Sequence, residues 1–497
     1  MNGEQRANLK QSDSEDVSCV ECYSLCWRAK IVTVEPVVFL YMLGVYFSLS
    51  FNFQYFYQRY ARDKLHAANH TVHHHFCIND SYLGNTLNDE ANDEVEAKAT
   101  HLTFLNSLAS MLVSIAVTII MGPLTDQFGR KFAIVSANIG AMFSSLLSII
   151  VIYLELDLHY FIATNVISSL FGGFGVILMG SFSYIADISS HRIRSLRIGI
   201  LELMIYVGSA ITSVLVGIWL SEVDCQFTSL TWAPFLCYVI NIPYALFMFP
   251  ESLPKDQRLA KAGNRGFKAV WKGFMIYLRP KLVTVKLWIC LGVLLVVIIN
   301  VTGSTVISTY FYIRHPLEWN QQQIGYYGGY SSVTHGTALL LLMPIALAVG
   351  IPDVVLAIFG VVCSCVGYLF IAGIKETWQM YAIVSFQSTE AVVIPSLRSM
   401  MSKCVGKEEQ GALFAFVASV EVSAALIGSS VYTNLYPQLH QTSYFVMSVL
   451  SAVPILPLCM ILVIERVVRH LHSKKLKDQQ LDDSTSTSDD KTPLLTN

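Results

Sequence analysis

The chain has 497 residues, of which 54% are apolar and only 14% charged. That excludes a soluble protein, because no soluble fold of this length hides so much apolar surface. A net charge of −2 says little about partners, none of which is expected to be a nucleic acid; where the charges fall says more.

Stretches of about 20 apolar residues, each long enough to cross a hydrocarbon layer about 30 Å thick, recur from Glu35 to Arg466. Twelve transmembrane helices are expected, over 36–58, 101–123, 132–154, 159–185, 197–220, 230–250, 285–313, 324–349, 353–373, 377–400, 410–435 and 442–465. Residues 1–34 form an N-terminal tail that is polar over 1–30, so the first span also serves as the insertion signal. Cys19, Cys22 and Cys26 crowd this tail. They lack a fourth metal ligand, which leaves palmitoylation beside the membrane or no role at all.

Lys and Arg near span ends are retained in the cytosol. With both ends of the chain cytosolic, only Arg59, Arg62, Lys64, Lys98, Arg314 and Lys375 of the 33 basic residues face the other side. The loop 59–100 after the first span is then lumenal or extracellular. Asn69-His70-Thr71 and Asn79-Asp80-Ser81 within it fit the glycosylation acceptor pattern, an independent signal for the same side. Asn300-Val301-Thr302 fits too but lies inside the seventh span, out of reach of the glycosylating enzyme. Cys77 and Cys225 are the cysteines expected on the oxidising side, where a disulfide between them is chemically allowed. His66, His70, His73, His74 and His75 share the first loop; no regular spacing fixes them together, so a solvated glycosylated loop competes with acid sensing or metal binding.

Between the second and third spans lies Gly122-Pro123-Leu124-Thr125-Asp126-Gln127-Phe128-Gly129-Arg130-Lys131. Glycine permits a tight turn there, and Asp126 and Arg130 lie close enough to bond each other and neighbouring helix ends. The run resembles the loop signature of the major facilitator superfamily, G-x-L-x-D-x-x-G-R-[KR], and fills each specified position. The resemblance implies two six-helix bundles that rock about a central site. Gly122, Asp126, Gly129, Arg130 and Lys131 are the expected hinge residues. The bundles would be 35–250 and 285–465, joined by a basic cytosolic linker over 251–284 that opens with Pro250-Glu251-Ser252-Leu253-Pro254.

Residues 466–497 are first basic and then rich in Ser, Thr and Asp, which build no packed core. They end in Asp490-Lys491-Thr492-Pro493-Leu494-Leu495, similar to the acidic dileucine signal read by clathrin adaptors. Asp490, Leu494 and Leu495 therefore predict an endosomal or lysosomal membrane, with the plasma membrane as the alternative.

Ionisable residues inside a span are costly unless they meet a partner or water, so they mark function. Glu202 falls in the fifth span, Glu390 and Arg398 in the tenth and Glu421 in the eleventh; these are the candidates for substrate binding and proton coupling. His335 in the eighth is a further candidate, or bonds a neighbouring helix.

Further runs narrow the resemblance. Glu35-Pro36-Val37-Val38-Phe39-Leu40, Gln54-Tyr55, Leu201-Glu202, Ile324-Gly325-Tyr326, Leu397-Arg398, Glu409-Gln410-Gly411-Ala412-Leu413-Phe414 and Leu435-Tyr436-Pro437 are similar to solute carrier family 46, whose members include folate carriers driven by protons. The resemblance implies a transporter of organic anions with a proton as coupling ion and no cofactor or metal. It assigns the coupling carboxylate to Glu202, the substrate-side arginine to Arg398 and the hinge pair to Asp126 and Arg130. A carboxylate in a partly dry cavity favours its protonated form, and a nearby cation holds an anion.

Departures from the family's folate carriers count against folate. Gly173 stands where they have an aspartate, Val301 where they have a histidine, and Leu49-Ser50 replaces a Gly-Pro pair. Glu318 replaces the cysteine that bonds the first loop in relatives, which makes Cys225 the substitute partner proposed for Cys77. Other members handle muropeptides, cyclic dinucleotides and related anions, so export of such a metabolite from an acidic compartment is the favoured expectation and folate the alternative. A ligand sensor or scaffold on the same fold is a second class, although it would not need an intact hinge. An enzyme is not expected, since no Walker loop, nucleophile elbow or metal-ligand spacing occurs.

Overall fold

A computed structural model describes residues 34–67, 89–190, 193–222, 227–248, 250–253, 282–313, 317, 319, 321–406 and 409–467. Asn69, Asn79, Cys77, Cys225, Glu318, Asp490, Leu494 and Leu495 lie outside the described residues, as do half of the first loop and most of the linker. The described residues are helical and contain no strand. In a bilayer the backbone must satisfy its own hydrogen bonds, and an apolar run can do so locally only as a helix.

Eleven of the described helices are long and apolar enough to cross a membrane. The first span is Glu35–Ala67, the second Asp89–Phe128, the third Arg130–Tyr153 and the fifth Arg194–Glu222. In the second half the seventh is Leu282–Ile313, the eighth Gln321–Val349, the ninth Asp353–Ile371 and the eleventh Gln410–Leu439, while the twelfth lies within His440–Val467.

The loop expected over 59–100 is helical at both ends. Helix continues to Ala67 and resumes at Asp89, because the polar turns find ionic partners: Arg59 and Arg62 meet Glu155 at 3.3 and 3.1 Å, and Lys64 pairs with Glu94. An apolar window ends where the sequence turns polar, but a helix need not.

Three spans expected to be continuous are interrupted. The fourth is Tyr160–Leu170 followed by Gly173–Ile188; Gly172 and Gly173 bridge the break at φ of 110° and 51°, which side chains with a Cβ resist. The sixth passes from helix Trp232–Pro243 into a π turn over Tyr244–Met248. The tenth has three parts, helix Thr377–Gln387, a 3-10 turn over Ser388–Val392 and helix Val393–Lys403. Pro395 has no N–H for the Ala391 carbonyl, so the chain tightens in the turn before it.

Buried apolar clusters draw mostly on the first six spans or on the last six. Where they mix, Phe414, Ala415 and Ala418 of the eleventh span join the first-half core, and Leu196 and Tyr206 of the fifth pack on the second-half core. The halves therefore meet along the second, fourth and fifth spans on one side and the eighth, tenth and eleventh on the other.

Candidate functional site

The tenth span delivers a guanidinium to this boundary. Arg398 Nε and Nη2 donate to Glu421 Oε1 and Oε2 of the eleventh span at 3.0 and 2.7 Å, a two-pronged bond within the second half. Nη1 pairs with Glu202 of the fifth span, across the boundary. Arg398, Glu202 and Glu421 are only 4%, 7% and 8% exposed. The Arg398 guanidinium also lies 4.1 Å from the ring centre of Phe182, a fourth-span residue that stacks on Phe414 of the eleventh at 5.9 Å. Of the four ionisable residues singled out in the spans, the fold thus joins three. Two carboxylates share one guanidinium, so the buried group carries one negative charge more than it can neutralise when both are ionised. A single proton removes that excess.

The hinge repeats this arithmetic at one end of the bundles. Arg130 is fully buried, pairs with Asp126 at 2.6 Å and donates to Asp187 Oδ2 at 3.0 Å and to Thr125 Oγ1 at 3.0 Å. Gly129, at φ 107°, makes the turn into the third span. Glu251 then receives the first backbone N–H groups of that span, from Arg130 at 2.8 Å and Lys131 at 3.2 Å. The Lys131 ammonium donates to the Leu246 carbonyl. Gly122 and Gly411 bring the eleventh span against this hinge. A methyl on Gly122 would strike Ala415, and one on Gly411 would strike Arg130 and Asp126.

Further polar contacts close the two halves at the hinge end. Arg194 donates from Nη1 to both the carbonyl and the hydroxyl oxygen of Ser402 at 3.1 Å. Asp353 Oδ2 accepts from Ser195, Ser399 and Lys403 at 3.0, 3.0 and 2.7 Å, and Lys403 also donates to Ser195 at 2.9 Å. The fifth span is thereby stitched to the ninth and tenth. Deeper in, Ser209 and Ser332 bond at 3.1 Å and Tyr206 stacks on His335 at 5.5 Å. His335 thus belongs to the boundary, its Nδ1 held by the Ser331 carbonyl at 2.7 Å.

Glu390 is not drawn into the Arg398 cluster. It sits on the 3-10 turn of the tenth span, 3.4 Å from the Gln387 amide. Asp187 and Glu251 are site residues that the sequence reading passed over. Carboxylates at span ends are unremarkable by composition, and the Pro-Glu-Ser run was the only signal for Glu251.

Residues 37–429 match the family model described as the Major Facilitator Superfamily. The chain is 28% identical over 406 residues to the proton-coupled folate transporter of Rattus norvegicus, covering 81% of this chain and 85% of that one. It is 25% identical over 421 residues to the lysosomal proton-coupled steroid conjugate and bile acid symporter SLC46A3 of Homo sapiens, covering 82% and 88%. Among solved structures, the human organic anion transporter MFSD10 superposes with a TM-score of 0.68 over 86% of this chain and 97% of its own, at 15% identity. That last likeness is one of fold.

Proposed function

Because the chain belongs to the major facilitator superfamily, we propose that it is a secondary active transporter that carries a polar organic anion with a proton from an acidic lumen to the cytosol. The observation that carries this reading is the buried Arg398, held by Glu421 on its own side and by Glu202 across the boundary.

Protonating Glu202 removes its charge and with it the ionic bond between the halves. Nη1 of Arg398 is then available to a carboxylate, sulfate or phosphate oxygen of the substrate, while the two hydrogen bonds from Glu421 keep the guanidinium in place. Proton and anion thus favour each other's binding, and that mutual preference is what coupling requires. With Glu202 neutral, the halves lose the ionic bond between them at this depth, and the population shifts toward the state open at the hinge end. Loss of the anion lets Glu202 release its proton and re-form the bond.

The two named relatives, one a folate and the other a steroid conjugate and bile acid carrier, are both described as proton-coupled, and one as lysosomal. They support an anionic substrate and an acidic compartment. Muropeptides and cyclic dinucleotides fit the same chemistry. Both termini are read as cytosolic, with the dileucine at Leu494 and Leu495 presented to clathrin adaptors.

The test is uptake at acidic and neutral outside pH in cells carrying the protein with Leu494 and Leu495 changed to Ala, so that more of it reaches the surface. Labelled muropeptide, cyclic dinucleotide, folate and a steroid sulfate are compared side by side. Acid-stimulated accumulation of one of them is expected. Surface-delivered protein that accumulates none of them at either pH, yet binds one, would replace transport with sensing.

A further inference from the structure

Glu390 is a carboxylate within a span that pairs with no cation among the described residues. Its side chain accepts from the Gln387 amide at 3.4 Å. Arg398, the basic group nearest along its own span, lies eight residues on, about 12 Å along a helix, and is already engaged by Glu202 and Glu421.

The surroundings are mostly apolar, with Val296, Val297, Val301, Val361 and Val393 around a few uncharged polar groups. Glu390 lines a void of about 10 Å³ together with Asn300 of the seventh span, Ser364 of the ninth and Ser451 of the twelfth, close to the smallest space that holds one water. Asn300 has little left to offer the carboxylate, because its amide donates to Ser451 Oγ at 2.8 Å and to the Met447 carbonyl at 3.2 Å, and its carbonyl accepts from Tyr432 at 2.9 Å. From the other elements packed around the turn come Tyr206 of the fifth span and Tyr368 of the ninth, both within reach of the Glu390 charge. His335 of the eighth stacks on Tyr206.

The backbone beneath it is built for close approach. Gly360 of the ninth span leaves no room for a Cβ beside Val393 and the Thr389 carbonyl, and Gly367 does the same for the Gln387 side chain. The turn is thus seated directly on the ninth span, with the carboxylate half-buried between the second-half interior and the fifth span.

We propose that Glu390 is a second proton site, separate from the Arg398 cluster, that takes a proton from water in the cleft between the halves and returns it to water on the other side. No cation among the described residues pairs with the carboxylate, and when it carries a proton it can donate one hydrogen bond into the void. The step is a simple transfer: one O–H bond forms at the carboxylate as one breaks in hydronium, and the reverse on release. Its role in coupling rests on the proton-symport reading above, but the existence of the site does not.

Infrared difference spectra of the purified full-length protein in lipid nanodiscs, recorded between acidic and alkaline pH, read protonated carboxyls directly through their C=O stretch. Glu390→Gln is expected to remove one such band that Glu202→Gln leaves in place. Glu390→Asp, which keeps a carboxyl, should shift the band rather than abolish it. A spectrum unchanged by Glu390→Gln overturns the proposal, as does a band that sodium ions remove at constant pH, which would make this a sodium site. In proteoliposomes, the charge moved per substrate should fall by one elementary charge in Glu390→Gln, read from the reversal potential. If the wild type moves no substrate, the transport reading fails while the infrared result still decides Glu390.

Discussion

Arg398 on the tenth span and Glu202 on the fifth are bonded across the boundary between the two bundles, and Glu421 grips the same guanidinium from within the second bundle. The asymmetry sets the roles. The bond inside one bundle survives any rocking of the halves, whereas the bond between them must break.

Removing the arginine leaves two buried carboxylates facing each other, so Arg398→Ala should destabilise the protein by about 3–5 kcal/mol and abolish uptake. Glu202→Gln keeps a neutral partner at the same place and should cost far less stability, while flattening the pH dependence of uptake. Thermal unfolding of purified protein and uptake over a pH series check both. Adding Glu421→Gln to Arg398→Ala should recover part of the lost stability, because one of the two stranded charges is gone. A double variant less stable than Arg398→Ala alone would contradict the charge account.

Gly411 has no space for a side chain against Asp126 and Arg130. Gly411→Val should therefore hold the second and eleventh spans apart, at a cost of about 1–3 kcal/mol to the closed arrangement. Transport is expected to fall at least tenfold, with surface delivery retained. Thiol labelling from the cytosolic side at a cysteine placed at Ser402, a residue bonded to Arg194 across the boundary, should rise in the same background. Labelling as slow as in the parent would mean that the hinge end stays closed.

Ser195 and Ser399 oxygens lie 2.7 Å apart across the two halves. Cysteines at both positions should be joined by a disulfide on mild oxidation, and the joined protein should bind substrate but not carry it. Joining with full transport retained would show that these ends do not part during the cycle.

Glu155 ties the end of the first span to the turn after the third, through Arg59 and Arg62. Burial pushes its carboxyl up, but Arg62 and Arg59 outweigh that and hold it below the usual glutamate range. A lowered carboxyl contributes its full stability above the unfolded value of about 4.3 and loses it only as pH falls through the lower folded value. The tie is thus intact at pH 5. Glu155→Gln should lower the melting temperature equally at pH 5 and pH 7, by an amount matching the ~0.5–1 kcal/mol of an exposed pair, with the difference fading below about pH 4. A difference already absent at pH 5 would show that the tie is not ionic at that pH.

Much of this fold was legible without coordinates because a bilayer leaves the backbone few choices. An apolar run of sufficient length crosses as a helix, so the spans could be placed by counting. The failures have specific causes. The helices at either side of the first loop run past their apolar stretches because Arg59, Arg62 and Lys64 find acidic partners that lie far away in sequence. The tenth span breaks at a 3-10 turn for which Pro395 was a visible local sign, as Gly172 and Gly173 were for the fourth.

What the sequence by itself determined was where charge is expensive: Glu202, Arg398, Glu390 and Glu421 fall inside apolar spans, and Asp126 and Arg130 sit in a signature turn. Only the tertiary structure decided which of them act together. A buried charge is stabilised by whatever lies within a few ångströms, and that distance is set by helices meeting across a boundary rather than by spacing along the chain. So Arg398 takes Glu202 and Glu421 and leaves Glu390 alone, Arg130 takes Asp187 as well as Asp126, and Glu251, outwardly an ordinary linker residue, closes the hinge.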